Sequence, residues 1–170
     1  PPVCTPARAT LFSGLSQTRT GRVGYQDDVP WNYPVNLAGE FTRQGYQTQA
    51  IGKMHVYPER HQMGFQNVIL HGALGILRRG KQQLGDPDMV DDYGPWLRQQ
   101  LGRDDATLVD HGVQGNSNIA RPWDKPEHVH YTNFVAEQSI DFLRRRDPTK
   151  PFFLFMSFNA PHPPYDPPAW

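Results

Sequence analysis

Phe152-Phe153-Leu154-Phe155-Met156-Ser157-Phe158 is the stretch that decides the fold. It is almost wholly apolar and follows a short loop carrying Pro148 and Pro151. Before that loop, residues from about Asn133 to Arg146 read as a helix. Val135, Ser139 and Phe142 share one side with Ala136, Ile140 and Leu143. Arg144, Arg145 and Arg146 suit the negative end of the helix dipole, and Asp147-Pro148 stops it. A helix, a short proline-containing loop and an apolar run predict a strand buried on both faces.

Working outward, the same order recurs earlier in the chain. Asn36 is placed to cap a helix carrying Leu37 and Phe41, and Gly45 to end it. Tyr46 to Ile51 then reads as a strand. A further short helix is predicted from about Pro6 to Leu15, with Thr5 as N-cap, Pro6 in the first turn and Gly14 near the end. Residues capable of chemistry follow each strand, Lys53 and His55 after the first and His162 after the second. That is the layout of an α/β fold with an open, mostly parallel or mixed sheet flanked by helices. Its ligands gather beyond the carboxyl ends of the strands. Between about Val56 and His130 the chain is rich in Gly, Asp, Arg and His with weak periodicity, which predicts long surface loops around a site.

The bulk properties narrow the function. At 170 residues the chain is about one ordinary domain long. Its 17 basic and 17 acidic residues balance, so nothing global selects nucleic acid or an anionic membrane, and an anionic substrate must be met by local charge. No apolar run approaches the roughly 20 residues that cross a bilayer. A single cysteine excludes an internal disulfide, so that thiol is inert, reactive or modified. The chain starts at Pro1-Pro2-Val3 without a signal-peptide pattern and stops at Pro168-Ala169-Trp170. Both ends read as cuts in a longer protein, and the expectation is an internal segment inactive by itself.

Cys4-Thr5-Pro6-Ala7-Arg8 carries the first chemistry. A cysteine at a helix N-terminus sits among unpaired amides at the positive end of the dipole, a setting for an anion or a developing oxyanion. Arg8, one turn on, can reach the same spot. A buried cysteine beside a surface arginine is the plain alternative. A phosphatase-type cysteine loop fits poorly, since it needs more residues between Cys and Arg than the three present.

Pro2-Val3-Cys4-Thr5-Pro6-Ala7-Arg8-Ala9-Thr10-Leu11-Phe12-Ser13-Gly14 resembles the sulfatase signature in which the cysteine is oxidised to formylglycine. Ser13 stands where that family more often has Thr. Gly45-Tyr46-Gln47-Thr48-Gln49-Ala50-Ile51-Gly52-Lys53-Met54-His55 looks like the family's second signature. Lys53 and His55, two apart in an extended segment, are expected to fall on one side. By themselves they read as a solvated lysine and an ordinary histidine, and it is the two signatures in order that give them meaning. Ala160-Pro161-His162-Pro163-Pro164 is similar to the family's Pro-His-x-Pro stretch, where flanking prolines hold an imidazole in one orientation.

The resemblance covers Pro1 to about His55 and Thr132 to Trp170, and is strongest to the bacterial arylsulfatase-like branch. It implies an alkaline-phosphatase-like fold and hydrolysis of a small-molecule or saccharide sulfate ester. A formylglycine derived from Cys4 would attack sulfur and form a covalent sulfated enzyme. Arg8 would hold its hydroxyls, Lys53 would neutralise a sulfate oxygen, His162 would protonate the leaving oxygen and His55 would take the proton from the second hydroxyl. A divalent cation, usually Ca²⁺, would bind residue 4 and a sulfate oxygen. The remaining ligands of the family precede the cysteine or follow the last histidine. The resemblance also implies a formylglycine-generating, sulfatase-maturating enzyme as partner and a periplasmic or secreted location. The acidic pairs Asp27-Asp28 and Asp91-Asp92 stand in the wrong place in the order to take the metal role. His61, His71, His111, His128 and His130 read as structural or substrate-lining, with no tight metal-ligand spacing among them. Two alternatives stay open, a phosphonate monoester or phosphodiester hydrolase of the same superfamily and a non-catalytic binding relative.

Overall fold

The computed structural model describes residues 3–26, 29–72, 87–108, 117–163 and 165–168. Asp27, Asp28 and His111 lie outside them. Three strands, β1 (Gln47–Gly52), β2 (Asn67–Leu70) and β3 (Phe152–Ser157), form an all-parallel sheet in the order β2-β1-β3. Helices α1 (Cys4–Ser13), α2 (Gln17–Thr20) and α3 (Leu37–Arg43) precede the sheet. Helix α4 (Tyr93–Leu101) follows β2, and α5 (Tyr131–Arg145) leads into β3.

Alternation along the strands separates two cores. Ala50, Val68, Leu70, Phe153 and Phe155 face one way and pack with Ala9 and Phe12 of α1 and Ala38 of α3. Ile51, Ile69 and Leu154 face the other way, against Tyr93 and Leu97 of α4 and Phe134 and Val135 of α5. Helices cover both faces, so this is the α/β arrangement the sequence implies.

The local stop signals act largely as read. Asn36 Oδ1 accepts from Gly39 N at 2.8 Å, and Gly14 ends α1 in the left-handed region. Other readings are corrected. Thr5 is not the cap of α1, because extended backbone at Val3 starts the helix at Cys4. The side chain of Thr5 is buried inside the first turn. Helix α5 starts earlier than predicted, capped by His130, whose Nδ1 accepts from Thr132 N at 3.1 Å. Its buried stripe is Tyr131, Phe134, Val135 and Ser139, while Ile140 and Leu143 are exposed.

The strand buried from all sides is β1 rather than β3. β3 lies at the edge of the three-stranded sheet, so Phe152 and Met156 stay 38% and 40% exposed. Thr48 and Gln49 are buried in β1 because their polar groups find partners. Thr48 Oγ1 meets Thr42 Oγ1 at 2.8 Å and accepts from Gln66 N at 3.0 Å, while Gln49 Oε1 accepts from Asn67 Nδ2 at 2.9 Å. The stretch read as loops from Val56 to His130 holds β2 and α4.

Gly52 is the joint between sheet and site. At φ +95° it turns the chain so that Lys53 N donates to Ser157 O at 2.9 Å. A Cβ there would run into that carbonyl oxygen and crowd Val135, so only glycine can hold this place.

Candidate active site

Helix α1 places its first residue, Cys4, at the carboxyl edge of the sheet. The first-turn amides have few helical partners, and the dipole puts positive charge there. Arg8 stands one turn along and is half-buried. Its Nη1 donates to Lys53 O, just past β1, and its Nη2 donates to Ser157 Oγ, the last residue of β3, at 3.1 Å. One guanidinium thus ties the start of α1 to the ends of two strands. Arg8→Ala is therefore expected to do more than remove a charge. Losing two charge-assisted bonds should lower the melting temperature by roughly 5–10 °C in a thermal melt of the full-length protein.

Lys53 is buried, and burial pushes its ammonium below the ordinary lysine range. The Cys4 side chain works against that shift and Arg8 adds to it. Burial likewise lowers Arg8, with Cys4 again opposing. Two desolvated cations and a helix N-terminus around one side chain make a place for an anion.

His55 arrives by a route the sequence did not suggest. The segment after β1 is not extended, since Gly52 lies at φ +95° and His55 at φ +57°. Strand alternation therefore does not put Lys53 and His55 on one side, contrary to the sequence expectation. A left-handed non-glycine residue is uncommon and clusters at functional sites. Lys53 lies within electrostatic reach of Cys4, and His55 is linked to that group through Tyr25. Tyr25 Oη lies 2.8 Å from Cys4 Sγ, and the Tyr25 ring is 6.1 Å from the His55 ring. Tyr25 carries no motif, and nothing in the sequence singled it out.

His162 sits in the loop that leaves β3 at Ser157. Its backbone N donates to Asn159 O at 3.0 Å, and its Nδ1 donates to Pro163 O at 2.7 Å, which leaves Nε2 as the atom available for proton exchange. It lines an open cavity of about 380 Å³ with His130, Tyr131, Tyr165 and Asp166. Tyr131 Oη donates to Asp166 Oδ1 at 2.7 Å, and burial with this carboxylate raises the phenol. Among the described residues no hydrogen bond joins His162 directly to Cys4, Arg8 or Lys53. The structure thus groups Cys4, Arg8 and Lys53, places His55 beside Tyr25, and sets His162 in the loop after the neighbouring strand.

Among the described residues, His71 and His61 serve the scaffold and His130 the start of α5 and the cavity wall. His71 is fully buried, 3.6 Å from Asp91 and packed on Tyr93 and Tyr131. His61 Nδ1 lies 3.1 Å from the Met63 sulfur. Asp91 accepts from the amides of Gly72 and Tyr93, which with His71 holds its carboxyl below the usual range despite burial. Asp92 accepts from Leu70 N and pairs with Arg60. This acidic pair is committed to holding the end of β2.

A parallel sheet between helices, with these side chains at its carboxyl edge, defines a fold of the alkaline-phosphatase-like class. The crystal structure of the phosphonate monoester hydrolase of Agrobacterium radiobacter matches it with a TM-score of 0.63 at 22% identity, over 97% of this chain and 33% of that one. Residues 1–170 match the Sulfatase family profile, and the chain belongs to the sulfatase family. It is 50% identical to an arylsulfatase of Clostridium perfringens, over 99% of this chain and 35% of that protein. It is 29% identical to the multifunctional alkaline phosphatase superfamily protein PehA of Trinickia caryophylli, over 95% of this chain and 32% of that protein. The chain spans about a third of the length of these curated relatives.

Proposed function

We propose that this chain supplies the nucleophile side of an arylsulfatase-like sulfate ester hydrolase, with residue 4 as the attacking group. The observation that carries this reading is that Arg8, bonded to Lys53 O and Ser157 Oγ, and the buried Lys53 both lie within electrostatic reach of Cys4 at the N-terminus of α1. A singly charged sulfate ester is held there by the two cations at the positive end of the α1 dipole. Converted to hydrated formylglycine, residue 4 would supply two hydroxyls, one to attack sulfur and one to expel sulfate. Lys53 would meet a sulfate oxygen, and His55, beside Tyr25, would take the proton. His162 offers Nε2 to the leaving oxygen, and the cavity beside it gives an aromatic alcohol room.

The resemblance assigns a divalent cation, calcium, with residue 4 among its ligands. Among the described residues no three His, Cys, Asp or Glu side chains gather to hold a metal ion. They do not fit a complete metal site, so no step is routed through one. A sulfatase-maturating enzyme is the partner this reading requires.

The fold shared with a phosphonate monoester hydrolase supports a second reading, hydrolysis of phosphonate monoesters or phosphodiesters. Both substrate types carry one negative charge at the reacting centre. The test compares an aryl sulfate with an aryl phosphodiester on the full-length protein, alongside mass spectrometry of the peptide containing residue 4. The proposal expects sulfur replaced by oxygen with loss of two hydrogens, and kcat/KM at least about tenfold higher for the sulfate, about 1.4 kcal/mol of discrimination. A preference for the phosphodiester, or an unmodified thiol in fully active protein, would reject it.

A further inference from the structure

Tyr25 is 53% exposed, yet the loop that carries it is firmly held. The buried guanidinium of Arg22 donates to Tyr33 Oη at 2.8 Å, Gln26 O at 3.2 Å, Val29 O at 2.8 Å and Pro30 O at 3.2 Å. It also lies over the Trp31 ring, 4.8 Å from the centroid. On the other side of Tyr25, Val23 O accepts from Gln17 Nε2 at 3.1 Å. The carbonyls of residues 23 and 26 are thus pinned, and Tyr25 stands between them. The backbone on both sides of Tyr25 is fixed, and from it the Tyr25 hydroxyl reaches Cys4 Sγ, 2.8 Å away.

We propose that Tyr25 is a positioning residue for the side chain at position 4. It selects one rotamer and so aims the attacking atom. The inference rests on residue 4 being the nucleophile. A cysteine side chain at a helix start has staggered alternatives separated by little energy, and one hydrogen bond is enough to choose among them. An oxygen in place of the sulfur would sit on a bond shorter by a few tenths of an ångström, still within reach of the phenol. A nucleophile misaimed by one rotamer loses most of its near-attack population, which reads out in kcat. The Tyr25 ring also stands beside the His55 ring, 6.1 Å between centroids.

The test uses Tyr25→Phe in the full-length protein, which keeps the ring beside His55 and removes only the hydroxyl. Turnover is normalised to the modified fraction of residue 4, counted by mass spectrometry. The expected result is kcat lower by about tenfold with KM within about twofold, the signature of an interaction needed in the transition state. The second readout is independent of activity: crystal structures of the unmodified parent and variant. Cys4 should occupy one rotamer in the parent and more than one in Tyr25→Phe. Parental kcat and a single Cys4 rotamer in Tyr25→Phe, with Cys4→Ala inactive, would overturn the role of Tyr25 and leave residue 4 as the nucleophile. An active Cys4→Ala would overturn both.

Discussion

Lys53→Met in the full-length protein is expected to lower sulfate ester turnover about 10²–10³-fold while raising thermal stability. The activity loss follows from removing a cation preorganised where anionic charge gathers. The stability gain follows from burial, since the folded state holds an ammonium whose desolvation exceeds the help it receives from Cys4. Methionine fills similar space without that penalty, so the melting temperature of Lys53→Met should lie above the parental one. The pH dependence adds a check. With the folded value of Lys53 below its ordinary 10.5, the unfolded chain binds more protons between the two values. Stability from this group therefore rises as pH climbs through that window, and Lys53→Met should remove that slope. A variant that loses activity because it unfolds would contradict this expectation, and circular dichroism melts across alkaline pH decide it.

Cys4→Ala carries the largest expected effect, a fall of about 10⁵–10⁶ in kcat, because no neighbouring group can replace a covalent nucleophile. The fold should hardly notice. Cys4 is only half-buried, alanine favours a helix, and the hydrogen bond to Tyr25 Oη that alanine cannot make is worth about 1 kcal/mol. The expected outcome is a dead enzyme with a melting temperature near the parental one. This separates Cys4 from Arg8, whose replacement damages both activity and the junction of α1 with two strands. Substantial turnover by Cys4→Ala would exclude covalent catalysis at this position.

What the sequence made legible was local. The Asn36 cap and the glycine end of α1 depend on a few neighbouring residues, and both appear where chain grammar puts them. The strand at Phe152–Ser157 was found from its apolar run, but its exposure depends on sheet position, which no run of side chains declares. β2 escaped notice because Val68-Ile69-Leu70 is too short to show a period. The burial of Thr48 and Gln49 rests on partners 18 residues away along the chain, and Tyr25 reaches Cys4 across 21. In the site, residue types and order were readable. The positive φ at His55 and the pinned loop beneath Tyr25 were not, since both come from packing between distant segments.

The Arg8 clasp also sets an order of events in time. Its two partners lie 45 and 149 residues away in sequence, so it closes only after β1 and β3 have paired, late in the folding of a chain made from one end. Once it closes, Thr5, Pro6 and Ala9 are packed under the helix, and the Cys-x-Pro-x-Arg segment can no longer be drawn out as an extended peptide. On the proposed formylglycine reading, a maturating enzyme that takes this segment as a strand or loop would act while the polypeptide is still nascent or unfolded. Offered the folded, unmodified protein, it should leave residue 4 a thiol, and offered the same protein in denaturant-softened form it should convert it. Equal conversion of both, followed by mass spectrometry, would show that α1 opens far more readily than the clasp suggests.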